Sequence, residues 1–150
     1  MTDPAELGDE LLSTIAALRR VVRRTIRPTM PDPQLRGAQI EVIRAVREEP
    51  GIGVAAVARA LRLAPNSVST LVNQLLETGM LTRRTDPEDR RAARLYLTEK
   101  AKRRLAESRK ARAELVGKGL DRLSTSDIEA LEKAMPALRA LLASLEEESS

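Results

Sequence analysis

Six charged side chains fall within residues 85–94: Asp86, Glu88, Asp89, Arg90, Arg91 and Arg94. The chain then turns into Leu95-Tyr96-Leu97 and ends the segment on Thr98. Guanidinium groups this dense suit electrostatic work, because each presents a flat fork of donors that matches a phosphate or a carboxylate. Acids in the same loop would repel a polyanion, so their work is internal. Asp86 and Asp89 can pair with neighbouring arginines, Arg83 or Arg84 among them, and fix the loop so that its tip faces outward. Arg90 and Arg91 stand at or near that tip, Arg94 at its base, and Pro87 stiffens the turn. An arginine-rich hairpin tip of this kind can lie along a nucleic-acid backbone and insert a guanidinium into a narrow minor groove. A second set lies upstream: Asn66, Ser67, Ser69, Thr70, Asn73 and Gln74. All six are short hydroxyl or amide side chains that donate and accept. Asn and Gln can bind adenine bidentately, and Ser or Thr can bind base or phosphate. No Lys or Arg lies between Pro65 and Thr78, so a bidentate guanine contact from this segment is not expected.

Other chemistries are closed off by composition. The chain has no Cys and no His, which removes thiol redox sensing, disulfides, nearly every transition-metal site and the commonest general base. The acids follow helix surfaces and termini instead of pairing in a cleft. No catalytic residue, metal or cofactor is expected. Net charge is +4, from 26 basic and 22 acidic residues. The distribution is uneven. Residues 81–112 hold 12 Lys/Arg against 5 Asp/Glu, whereas residues 124–150 hold two basic against six acidic. A basic middle and an acidic end point to an anionic partner for the middle only. Arg19, Arg20, Arg23 and Arg24 add charge that serves phosphates, a cleft or simple solubility. The N-terminus is acidic (Asp3, Glu6, Asp9, Glu10) where a signal peptide is basic, and no apolar run approaches the about 20 residues of a membrane span. A cytoplasmic location and no membrane partner are expected.

The elements that must hold these two sets follow from periodicity. Leu7, Leu11, Ile15, Leu18, Val22 and Ile26 form one helical stripe, which Pro28, Pro31 and Pro33 terminate. A second helix is expected from about Leu35 to Glu48, with Ile40, Val42, Ile43 and Val46 inward, and "EPG" at 49–51 stops it. Two short helices follow, "VAAVARAL" (54–61) and "PNSVSTLVNQLLET" (65–78), joined by a tight turn. Pro65 suits the first helical position. The second of them buries Val68, Leu71, Val72, Leu75 and Leu76, and Gly79 is its left-handed cap. "MLTRR" (80–84) and "ARLYL" (93–97) read as strands, with Leu95 and Leu97 as anchors to the core. Thr98 caps the next helix, which runs to about Leu120. "STSD" (124–127) is a capping-box start with Asp in place of Glu. Ile128, Leu131, Met135, Leu138, Leu142 and Leu145 then line a last helix, in which Pro136 costs a hydrogen bond and favours a kink.

Two short helices with a tight turn, followed by a charged hairpin, describe a winged helix-turn-helix. Here the chain resembles the multiple-antibiotic-resistance regulator (MarR) family of bacterial transcription factors. The resemblance is carried by "VAAVARALRLAPNSVSTLVNQLLETGMLTRR", "DPEDRR" and "LYLTEKAKRRL". It implies a mainly α fold: a winged helix-turn-helix with flanking N- and C-terminal dimerisation helices. The expected organisation is a dimerisation helix and linker (1–34), a DNA-binding region (35–98) and C-terminal dimerisation helices (99–150). It also implies Arg91 as the minor-groove residue and Asp89 as its organiser. Asn66, Ser67, Ser69, Thr70, Asn73, Gln74, Arg84, Arg90, Arg91 and Arg94 are the expected DNA-binding set. Leu7, Leu11, Ile15, Leu18, Leu131, Leu138, Leu142 and Leu145 are the expected homodimer interface, the alternative being that the first and last helices pack against each other within one chain. The expected partners are a palindromic double-stranded operator, a second copy and a small-molecule effector. The expected function is a sequence-specific repressor, and the alternative is a nucleoid-type DNA-binding protein of low specificity.

Overall fold

The structure is a computed structural model that describes residues 3–149. Its order is α1 (Pro4–Ile26), a 3-10 turn (Arg27–Thr29), α2 (Gly37–Glu48), α3 (Val54–Leu61), α4 (Pro65–Glu77), β1 (Leu81–Thr85), β2 (Ala93–Leu97), α5 (Glu99–Leu120) and α6 (Thr125–Glu148). The fold is mainly α with one two-stranded antiparallel sheet, as the periodicity predicts. Several boundaries differ: α4 ends at Glu77 and not Thr78, β1 covers Leu81–Thr85 and not 80–84, and two further differences have a clear local cause. At the end of α1 the chain tightens into the 3-10 turn instead of stopping at once. Pro28 sits early in that turn, where its missing N–H is not needed. Helix α2 begins at Gly37 and not near Leu35, because Arg36 holds an extended cap conformation and its N–H donates to Gln39 Oε1 at 2.9 Å.

The core uses no aromatic ring. Val42, Ile43 and Val46 of α2, Val57 of α3, Val68, Val72 and Leu75 of α4, Met80 and Leu95 are fully buried. Branched aliphatic chains lock few rotamers each, so they pack densely with little loss of entropy. Burial stabilises each by about 1.5–3 kcal/mol.

Tight turns set the direction of α4 at both ends. Arg62 closes α3 in the left-handed region (φ 53°), and the Leu63 N–H returns to the Ala58 carbonyl at 3.0 Å. Pro65 then opens α4. At its far end Gly79 adopts φ +73°. The Met80 N–H bonds the Leu75 carbonyl at 2.8 Å and the Gly79 N–H bonds the Leu76 carbonyl at 3.1 Å, a Schellman cap. The chain can therefore leave the helix directly into β1.

The hairpin pairs Leu81 with Leu97, Thr82 with Tyr96, Arg83 with Leu95, Arg84 with Arg94 and Thr85 with Ala93. Strand β2 is also held on its other side. The Gly51 N–H donates to the Leu95 carbonyl at 2.8 Å, and the Leu95 N–H donates to the Ile52 carbonyl at 3.1 Å. Thr98 ties the base of the hairpin. Its N–H donates to the Met80 carbonyl at 3.2 Å, its hydroxyl donates to the Gly79 carbonyl, and its Oγ1 accepts from the Ala101 N–H at 3.1 Å.

Two compact units divide the chain, one ending at Ala111 and one beginning at Arg112. The second holds the last part of α5 and all of α6. Ser124 and Asp127 form the expected box at the start of α6: Ser124 Oγ accepts from the Asp127 N–H at 3.1 Å, and Asp127 Oδ2 accepts from the Ser124 N–H at 3.3 Å. Helix α6 runs through Pro136 as one element. Neither α1 nor α6 buries any described residue, although both carry apolar stripes. No helix among the described residues is long and apolar enough to cross a membrane.

Candidate nucleic-acid interface

Helix α4 owes its orientation to Val68, Val72 and Leu75, which are buried along one face. The opposite face then follows from the 3.6-residue period. Asn66, Ser67, Ser69, Thr70 and Asn73 are all exposed on it. The Thr70 hydroxyl donates to the Asn66 carbonyl at 3.1 Å, so that residue keeps acceptor capacity outward while its donor serves the helix. Gln74 differs from the other five. It is half-buried, and its Oε1 accepts from Gln39 Nε2 at 3.1 Å. Gln39 in turn receives the Arg36 N–H, so the amide chain links the start of α2 to the middle of α4. The spacing of Gln74 placed it with the outward set. Its actual neighbour lies 35 residues away in sequence, where no local pattern shows it.

The wing is ordered by its acids. The Asp86 N–H donates to the Ala92 carbonyl at 3.0 Å and closes the loop. Asp86 Oδ1 accepts from the Glu88 N–H at 3.0 Å, and Oδ2 accepts from Arg94 Nε at 3.0 Å. The carboxylate thus pairs with Arg94 across the hairpin, and not with Arg83 or Arg84. Asp89 Oδ1 accepts from the Arg91 N–H at 2.9 Å, and its carbonyl accepts from the Ala92 N–H at 3.0 Å. Two Asp-capped turns in succession therefore shape the tip, which is the local chemistry Asp prefers. Arg90 and Arg91 are exposed. Arg84, opposite Arg94 in the register, lies over the Tyr96 ring with 4.6 Å from guanidinium carbon to centroid.

The Glu88 amide and the ion pair both favour the ionised form of Asp86. The Glu88 N–H, then the Arg94 guanidinium, hold the Asp86 carboxyl below the ordinary carboxylate range. Asp86 in turn raises the Arg94 guanidinium, with a smaller contribution from the Tyr96 hydroxyl. A depressed carboxylate stabilises the folded loop above its unfolded pKa and loses that contribution as pH falls through the folded value. Protection of the Glu88 amide against hydrogen exchange, corrected for intrinsic rate, should therefore be constant from neutral pH down to about 5 and fall below about 4. Asp86→Asn should lack that step. The same step in the variant would assign the transition to another acid.

Unit one also holds a shallow cleft of about 160 Å³, lined by Pro31, Asp32, Met80, Lys100, Arg103, Arg104 and Glu107. Arg104 is buried, and its Nε donates to the Pro31 carbonyl at 3.2 Å. No group of three or more His, Cys, Asp or Glu able to hold a metal ion occurs among the described residues.

The expected interface leucines divide by exposure. Leu7, Leu18, Leu142 and Leu145 are at least half exposed, Ile15 and Leu131 are also open, and Leu11 and Leu138 are half-buried.

Comparison with known proteins agrees with this geometry. The MarR family model matches residues 34–92, from the linker before α2 to the end of the wing loop. A protein of Thauera aromatica, assigned as a transcriptional regulatory protein for the hcr operon, is 34% identical over 94 residues. That match takes in 62% of this chain and 54% of the relative, so the chain spans about half of that protein's length. Among solved structures, one assigned as a transcriptional regulator from Pseudomonas aeruginosa superposes with a TM-score of 0.81 at 25% identity, over 95% of this chain and 97% of the other. Streptococcus pneumoniae FabT, solved in complex with DNA, shares the fold with a TM-score of 0.68 at 21% identity, over 95% of this chain and 99% of the other. Over residues 34–92 the chain is thus similar to the MarR family, and its fold is that of the solved Pseudomonas aeruginosa regulator.

Proposed function

We propose that the protein is a homodimeric, sequence-specific regulator of transcription that represses by occluding promoter DNA. Helix α4 reads base edges in the major groove through Asn66, Ser67, Ser69, Thr70 and Asn73, and Gln74 holds that helix at its angle through Gln39. The wing places Arg91, flanked by Arg90, in the adjacent minor groove, while Asp86 and Asp89 organise it. Arg84 and Arg94 stand nearer the phosphates at the base of the hairpin. The observation that carries this reading is the pairing of an exposed polar face on α4 with an exposed arginine tip fixed by two aspartates. A solvated loop needs no such internal bracing.

A second copy is invoked because the stripes on α1 and α6 leave Leu7, Leu18, Leu142 and Leu145 at least half exposed, and apolar rows of this kind mark interaction surfaces. Two-fold symmetry then matches a palindromic operator with half-sites about one helical turn apart. The cleft, where Lys100, Arg103 and Arg104 outnumber Asp32 and Glu107, is the place for a small anionic effector, whose binding would change the separation of the two reading helices. Sedimentation should give twice the chain mass at micromolar concentration.

Base reading is tested by Asn73→Ala. Affinity for the operator should fall by about 5- to 100-fold, with preference relaxed at one position of each half-site and the salt slope unchanged. A uniform loss on every sequence would favour the low-specificity coating reading. So would an operator-to-random affinity ratio well under about 10³ in the parent protein.

A further inference from the structure

Tyr96 is the single aromatic residue of the chain, and the core does without aromatic rings. Its position in the wing therefore calls for a local reason. The hairpin register sets Arg84 directly opposite Arg94. Like charges in that relation destabilise a strand pair. The two guanidiniums have different main partners: Arg94 is drawn to Asp86 at 3.0 Å, with a lesser interaction with the Tyr96 hydroxyl, and Arg84 lies over the Tyr96 ring at 4.6 Å. The hydroxyl end of the ring is closely packed as well. Gly51 holds φ +88°, and a Cβ there would come within 3.0 Å of the Tyr96 hydroxyl oxygen. The turn before α3 thus packs against the ring, and its backbone is bonded to β2 at Leu95. Arg84 remains exposed.

The geometry points to Tyr96 as a positioning residue for DNA binding: its ring, braced by the Gly51 turn, holds the exposed Arg84 guanidinium over its face at the base of the wing as a preorganised contact to a backbone phosphate. This rests on the duplex-binding reading above. A guanidinium stacked on a ring keeps its edge donors available, and its rotamers are restricted before the phosphate arrives. Arg94 is held by the carboxylate of Asp86 and is correspondingly less available to phosphate. The hairpin therefore presents one poised cation at its base instead of two that repel each other.

The test uses the full-length protein and duplex carrying its selected operator. Arg84→Gln should lower affinity on all sequences and reduce the salt slope by about one per half-site. Tyr96→Leu, which keeps apolar bulk but removes the ring, should weaken binding about two- to fivefold and lower the slope in the same sense. In the Arg84→Gln background, Tyr96→Leu should add nothing. Tyr96→Phe, which keeps the ring and loses only the hydroxyl, should bind like the parent. In the free protein, the Arg84 side-chain protons should resonate upfield and return to ordinary positions in Tyr96→Leu but not in Tyr96→Phe. Additive losses in the double variant, or equal losses in the Phe and Leu variants, would overturn the assignment. Should Tyr96→Leu unfold, the Phe variant and the Arg84 resonances decide it alone. If the parent shows no salt-dependent duplex binding, the functional reading fails, whereas parent-like binding by Tyr96→Leu overturns only the role of the ring.

Discussion

Arg91→Ala is expected to weaken operator binding by about 10- to 100-fold while leaving the thermal midpoint within about 2 °C of the parent. The two expectations arise from the same geometry. Arg91 is exposed, and its fold-supporting contact is through the backbone, whose N–H donates to Asp89 Oδ1 at 2.9 Å. Alanine keeps that N–H. What disappears is a guanidinium at the tip of a loop whose path is already set by Asp86 and Asp89. A minor-groove arginine gains from the concentrated negative potential of a narrow groove, so the loss should be greatest on operators with A·T-rich flanks. Fluorescence anisotropy at one fixed salt concentration, beside a melting curve, measures both quantities. An unchanged dissociation constant would remove the wing from the mechanism. A large fall in melting temperature would make Arg91 structural.

Leu95→Ala should behave in the opposite way, costing about 2–5 kcal/mol of stability. Leu95 is fully buried, and its backbone bonds the Gly51–Ile52 segment on the side facing away from β1. Truncation leaves a void between the hairpin and the helical core that the flanking backbone is too constrained to fill. For a chain of this size the midpoint should drop by roughly 5–15 °C. Leu97→Ala supplies the control, because Leu97 is half-buried at the margin of the core and should cost less. Equal losses at the two positions, measured by chemical denaturation, would contradict this account of how the wing is anchored.

Much of this architecture could be read from local pattern. The helical stripes, Pro65 at the start of α4, Gly79 at its end, Thr98 and the Ser124–Asp127 box each act within a few residues, so the sequence carries their signal directly. The polar face of α4 and the Asp-Pro-x-Asp-Arg-Arg loop were visible for the same reason. What escaped joins distant positions. "EPG" reads as a helix stop, yet Gly51 serves also as a backbone partner of Leu95 and a close neighbour of Tyr96. Gln74 lies on the polar stripe, but Gln39 engages it from α2. Asp86 has Arg83, Arg84, Arg90, Arg91 and Arg94 to choose from, and only the antiparallel register selects Arg94. Charge density announced the wing, whereas the pairing that organises it depends on strand geometry.

Because Leu95 bonds Gly51 and Ile52 on the flank opposite β1, the strand that carries it has no open side at its centre. Only the outer margin of β1 is left unpaired by the sheet, and that short strand bears two adjacent arginines, Arg83 and Arg84. Such a margin is a poor template for a stray chain, since like-charged guanidiniums would have to stack against each other to recruit it. A surface feature suited to nucleic acid would thereby also protect the molecule against strand-by-strand self-assembly.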